Sequence, residues 1–253
     1  MPDFQLHGKR AIVTGGGRGI GKAIARALAQ EGVDVVIASR NRAQLDATAA
    51  EISAATGRRV VGIVADTTSD SAVDALVAET VRILGGIDIL VNNAAAPGGL
   101  STATTVAQID SALALEDINI KVIGYLRTAR AVAPHLIAQR WGRIINIGGL
   151  AIRKTGRPVA TLRNVGVAAI TKNLADELGP SGINVTAVHP GATRTERTDA
   201  ASERTAAKGN SIGRIVDASE VAAVVTFLAS PLSVAITGDA ITAGGGSPGT
   251  IHY

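Results

Sequence analysis

Seven short runs of Val, Ile and Ala, most of them followed by a longer stretch with helical spacing, constrain this chain more than any other feature. The runs are Ala11–Thr14, Val33–Ala38, Val60–Ala65, Ile87–Asn92, Arg143–Ile147, Ile183–His189 and Ala240–Ala243. They are apolar almost throughout rather than alternating, as in strands of a parallel sheet covered on both faces. Gly21–Gly32, Arg42–Thr56, Ser69–Leu84, Ile118–Arg140, Ala160–Leu178 and Ser219–Ala229 read as helices between them. Parallel neighbours need crossovers of this kind. The alternation predicts one α/β domain over residues 1–253: a doubly wound parallel sheet of about seven strands with helices on both faces. Residues 194–213 are polar, rich in small side chains and weakly patterned, and read as a mobile substrate loop.

Composition removes several kinds of chemistry. The chain has no Cys, which excludes disulfides, thiol nucleophiles and Cys-based metal centres. Its four His, at 7, 135, 189 and 252, are scattered and form no metal-binding pair, so no metal site is expected. A formal charge of +4 without blocks of like charge, together with 2% aromatics, argues against nucleic-acid binding. No apolar run is long enough to span a membrane, and the first ten residues lack the apolar core of a signal peptide. The expected compartment is the cytoplasm.

After the first apolar run comes Thr14-Gly15-Gly16-Gly17-Arg18-Gly19-Ile20-Gly21, directly before a helix with Ile20, Ile24 and Leu28 on one face. Glycines at such a junction make a tight turn and let backbone N–H groups approach a pyrophosphate at the helix N-terminus. The second run ends in Ser39-Arg40-Asn41, where an acidic residue would accept hydrogen bonds from an adenosine ribose 2′-hydroxyl. Arg18 and Arg40 instead suit a 2′-phosphate, which favours NADP(H) over NAD(H).

These residues resemble the short-chain dehydrogenase/reductase family, whose fold is of the Rossmann type. Thr14, Gly15, Gly19 and Gly21 match that family's glycine loop. Asp66 falls at its adenine-side Asp, and Val91-Asn92-Asn93-Ala94-Ala95 resembles its NNAG motif. Asn119 falls at the Asn of its catalytic tetrad. His189-Pro190-Gly191-Ala192-Thr193-Arg194-Thr195 is similar to the segment around its nicotinamide carboxamide. The resemblance implies cofactor contacts at Gly15, Gly17, Arg18, Gly19, Ile20, Gly21, Ser39, Arg40, Asp66, Asn92, Ala94, Asn164, Pro190, Gly191, Thr193 and Thr195. It also implies a homotetramer or homodimer built on Ile118–Arg140 and Ala160–Leu178.

The family's Ser, Tyr and Lys do not follow. The resemblance places Gly149 at the Ser, Ala160 at the Tyr and Asn164 at the Lys, and no Tyr lies between 126 and 252 that could restore the pattern. Tyr125 stands about 600° around a helix from Asn119, on another face, and reads as core. Tyr253 reads as part of a frayed or packing tail, the alternative being a tail that reaches a neighbouring subunit's active site. Catalytic candidates are therefore Asn119 and, behind it, Asn164, Arg163, His189 and Lys154. Arg153, Lys154, Arg157, Arg194 and Arg197 at the strand ends suggest an anionic substrate. The expected function is an atypical NADP(H)-dependent oxidoreductase with a non-standard proton donor. The alternative is an inactive NADP(H)-binding sensor or partner subunit.

Overall fold

The computed structural model describes residues 3–248. Its strands are β1 (Arg10–Thr14), β2 (Asp34–Ser39), β3 (Val60–Val64), β4 (Ile89–Asn92), β5 (Gly142–Ile147), β6 (Ile183–Pro190), β7 (Thr193–Arg194), β8 (Val216–Asp217) and β9 (Ala240–Ala243). Seven of them form one parallel sheet in the order β3-β2-β1-β4-β5-β6-β9, and β7 pairs with β8 in a separate ribbon. All seven apolar runs have become the strands of this sheet, with ends shifted by two residues at most. The helices are α1 (Gly19–Gln30), α2 (Arg42–Thr56), α3 (Asp70–Leu84), α4 (Ser111–Ile118), α5 (Gly124–Gln139), α6 (Pro158–Leu178), α7 (Ala200–Ala207) and α8 (Ala218–Ala229).

The strands are apolar on both faces because both faces are covered. Ala11, Val13, Val35, Ile37 and Ile145 pack with α1, α2 and α8, while their neighbours Ile12, Val36 and Ile144 pack with α3, α5 and α6. Successive side chains on a strand point to opposite faces, so one continuous apolar run feeds two cores. Asn41 and Ser69 cap α2 and α3 by accepting the N–H groups of Gln44 and Ala72. Among the described residues no helix is long and apolar enough to cross a membrane.

Two regions depart from expectation. The helix predicted from Ile118 begins earlier, at Ser111, because Asp110 caps it by accepting the N–H groups of Ala112 and Leu113. Between α4 and α5 the chain then makes a π-helical turn, Asn119–Ile123. Such wide turns shift which side chains face inward and are frequent at functional sites. The segment read as a mobile substrate loop over 194–213 contains α7, capped by Asp199 through the N–H of Ser202.

Candidate active site

A cleft of about 1200 Å³ opens at the carboxyl ends of the strands, beside the β1–β4 boundary where the strand order reverses. The junction of β1 and α1 forms one wall. Gly15, Gly17, Arg18, Gly19 and Ile20 line it. Gly21 does not; a Cβ there would fall 2.2 Å from the Gly15 carbonyl oxygen, so this glycine lets the loop fold onto its own helix. The loop after β4 is fastened to this wall. The Thr14 hydroxyl accepts the N–H groups of Asn93 and Ala94 at 3.0 and 3.1 Å. The Asn93 amide donates to the Thr14 and Gly15 carbonyls, each at 3.1 Å.

Ser39, Arg40, Asp66 and Ala94 also line the cleft. The backbone N–H of Thr68 is the main cause that holds the Asp66 carboxyl below its ordinary range, with smaller contributions from Arg40 and Arg127. Asn92, expected at the cofactor, is fully buried behind the wall instead. Its amide donates to the Asn146 side chain at 2.9 Å and the Tyr125 carbonyl at 3.3 Å, and its oxygen accepts the Thr128 hydroxyl at 2.6 Å. The neighbour Asn93 is the asparagine that reaches the cleft.

The opposite half is lined by Pro190, Gly191, Thr193 and Thr195 on one side and by Gly149, Ala160, Arg163 and Asn164 on the other. No phenol lines it. Tyr125 is buried, its hydroxyl donates to the Ile147 carbonyl at 3.0 Å, and burial raises its pKa. Arg163 and Asp117 form a buried ion pair at 2.8 Å, and Arg163 also donates to the Ala96 carbonyl at 3.3 Å. The Asn164 amide donates to the Ala160 carbonyl at 2.7 Å.

One further side chain enters this half from another element. Lys121, in the π turn, is 4% exposed and lines the cleft. Its ammonium donates to the Gly148 carbonyl at 2.9 Å and to the Asn164 Oδ1 at 3.0 Å. Burial lowers its pKa from 10.5 to about 7, helped by the Arg163 charge and opposed by Asp117.

Several expected catalytic groups are placed elsewhere. Asn119 does not line the cleft; its Oδ1 accepts from the Arg127 guanidinium on α5 at 2.8 Å. His189 is fully buried behind the cleft floor, where its Nδ1 accepts the Gly149 N–H at 3.0 Å. Burial lowers its pKa to about 4, with the Lys121 and Arg153 charges acting in the same direction, so it is neutral at pH 7. A Cβ at Gly148 would come within 2.0 Å of that ring, so the glycine is what admits the imidazole. Lys154 and Arg153 lie outside the cleft lining. Arg194 is engaged by Glu203 and, at 2.6 Å, by Asp217. Arg157 lines the cleft but donates to the Gly98 and Ser101 carbonyls at 3.0 Å each, so of the five Arg197 is the one that lines the cleft with no side-chain partner among the described residues. Tyr253 lies outside the described residues.

A family model described as Enoyl-(Acyl carrier protein) reductase matches residues 15–247. The chain belongs to the short-chain dehydrogenase/reductase family. It is 38% identical over 249 residues to the short-chain reductase protein NovJ of Streptomyces niveus, covering 94% of this chain and 93% of NovJ. It is 33% identical to the 3-oxoacyl-[acyl-carrier-protein] reductase FabG of Aquifex aeolicus, covering 96% and 99%. Among solved structures, the L-sorbose reductase of Gluconobacter frateurii complexed with NADPH and L-sorbose superposes with a TM-score of 0.90. Its sequence is 26% identical, with 99% of this chain and 100% of that one covered. A Burkholderia cenocepacia short-chain dehydrogenase in complex with NADP gives 0.84 at 35% identity, covering 95% and 98%.

Within this family fold, Lys121 is the site residue that sequence reasoning missed. A signal existed. Asp117, Lys121 and Tyr125 recur every four residues on the stripe that α4 and α5 bury. A lysine on such a stripe is uncommon unless something holds it. What holds it, Asn164, is 43 residues away in sequence, so no local pattern announces the contact.

Proposed function

We propose that the cleft binds NADP(H) and reduces a small-molecule carbonyl or activated alkene, with a proton donor other than tyrosine. The observation that carries the reading is the end of β2, where Ser39 and Arg40 face the cleft across from Arg18, with no carboxylate at the strand end. A dinucleotide bearing a 2′-phosphate suits these two guanidiniums, whereas a bare ribose would offer them no charge to bind. The glycine wall offers the backbone approach that a pyrophosphate needs. When bound, the cofactor would supply the hydride; Gly15, Gly17, Gly19, Ser39, Arg40, Asp66 and Ala94 would hold its adenine side. Pro190, Gly191, Thr193 and Thr195 would hold its nicotinamide side.

With Gly149, Ala160 and Asn164 where the family resemblance puts Ser, Tyr and Lys, the proton must come from another group. His189 is a poor one, buried and neutral, and Arg163 is committed to Asp117. An anionic substrate has Arg197 as its main attraction. Residues 194–213 form the substrate loop, fastened at its far end by the Ser211 and Ile212 N–H groups on the Gly245 carbonyl. The apolar groove along α5 and α6, with Leu126, Ile137 and Leu174, suits a homodimer or homotetramer.

Calorimetric titration with NADPH and with NADH tests the reading. Tight NADPH binding and much weaker NADH binding support it; failure of both to bind overturns it. A second reading, a nucleotide-binding partner subunit without turnover, is favoured by the lack of a phenol among the described residues of the cleft and by a relative named as a dehydrogenase subunit. That relative is the (2S)-[(R)-hydroxy(phenyl)methyl]succinyl-CoA dehydrogenase subunit BbsD of Thauera aromatica, 33% identical over 245 residues. NADPH that binds but is never oxidised across a panel of ketones, quinones and enones would favour this second reading.

A further inference from the structure

Lys121 is buried and, among the described residues, has no carboxylate in contact. Its two recorded partners, the Gly148 carbonyl and the Asn164 Oδ1, are both neutral. An ammonium has three N–H groups, so one is left over, and the side chain borders the cleft. Taking such a charge out of water destabilises the fold, and a methionine would fill the same volume without that cost. A group held at a disadvantage inside a cleft is a candidate for chemistry there.

Its position is specific. Asn164 ends in an amide, and the Lys121 ammonium meets that amide at 3.0 Å. A lysine at 164 would extend past the amide with its last atoms, toward the same space. The π turn before α5 thus delivers from the side what α6 would otherwise deliver from its own position. The Gly148 carbonyl, at the end of β5, and the Asn164 amide fix the direction of the ammonium.

We propose that Lys121 is the ammonium of this cleft and donates its remaining N–H to the ribose on the nicotinamide side of the bound dinucleotide. This rests on the NADP(H) reading above. The charged and titratable groups around it are Asp117 on α4, Arg163 on α6 and His189 on β6. Asp117 is engaged by Arg163, and His189 is neutral, so none of the three supplies Lys121 with a full counter-charge. Above neutral pH the free protein therefore holds much of Lys121 as the amine. A ribose oxygen accepting from the ammonium favours the protonated form, so nucleotide binding draws a proton in and weakens as pH rises above neutrality.

Three calorimetric measurements test this: NADPH affinity, adenosine 2′,5′-bisphosphate affinity, and proton uptake. The bisphosphate carries the adenine end only and reports Arg18 and Arg40. Lys121→Met is expected to weaken NADPH by about tenfold to a hundredfold, the usual range for a charged hydrogen bond, while adenosine 2′,5′-bisphosphate binds as before. NADPH titrations in two buffers of different ionisation heat, at about pH 8, measure the proton. Wild type is expected to take up a measurable fraction of one proton, and Lys121→Met none. Lys121→Arg keeps a charge that does not titrate, so it too should take up none; it serves if the methionine variant does not fold. Unchanged NADPH affinity in Lys121→Met, or proton uptake that persists in either variant, overturns the proposal. Failure of wild type to bind adenosine 2′,5′-bisphosphate overturns the nucleotide reading itself, and this inference with it.

Discussion

The two halves of the cleft are built in different ways. The glycine half is made of backbone at one strand–helix junction, fastened by Asn93, by the Ala38 carbonyl and by the Thr48 hydroxyl. The opposite half is made of buried polar side chains from α4, the π turn, α6 and the end of β5: Asp117, Lys121, Arg163, Asn164 and the Gly148 carbonyl. The first needs glycine at fixed spacing and neutral partners for its backbone. The second needs charges that satisfy one another across distant segments, so each member depends on the others. A half made of backbone can stay fixed while a half made of mutually dependent side chains is rebuilt around a different cation.

The strongest way to break that contrast is to remove one partner of the buried pair. Arg163→Met strands the Asp117 carboxylate and is expected to lower stability by about 3–5 kcal/mol. Adding Asp117→Leu should recover most of it. Denaturant melts of both variants decide this, and a loss below about 1 kcal/mol would mean the pair behaves like a surface one. Next, Asn164→Lys brings a second ammonium beside Lys121. At an effective dielectric near 20, two like charges about 4 Å apart repel by about 4 kcal/mol. Lys121→Met in the same chain should relieve that penalty; if it does not, the two side chains do not converge as the hydrogen bond at 3.0 Å requires.

His189 gives a pH-dependent probe of the same half. Its folded pKa, about 4, is below the unfolded value of 6.5, so between these values the unfolded chain binds more protons. Stability is therefore full above about pH 6.5 and is lost as pH falls toward 4, by about 3 kcal/mol at most. His189→Gln should flatten that part of a stability-against-pH curve, and an unchanged slope would remove His189 as its source. The smallest effect belongs to the glycine half. Arg40→Ala is expected to weaken NADPH by about tenfold and leave NADH unchanged. Equal weakening of both would show that Arg40 does not discriminate the 2′-phosphate.

The fold was legible because its signals are local. Seven apolar runs and their helices can be read a few residues at a time, and the sheet of the structure follows them closely. The glycine wall was legible for the same reason. Asn92 and Asn93 mark the limit: adjacent residues at the end of one strand, of which one turns into the core and the other into the cleft. Asn119 shows a second limit, since its side chain is held by Arg127, eight residues on, and does not line the cleft.

By itself the sequence determined the strand–helix order, the glycine loop, the basic residues at the end of β2, and the absence of any Tyr from 126 to 252. Tertiary structure alone decided that Lys121, and not Lys154 or His189, borders the cleft. The reason is physical. Periodicity and turn chemistry act over a few residues, whereas a buried ammonium is held by groups that chain folding brings together: a carbonyl 27 residues on and an amide 43 residues on.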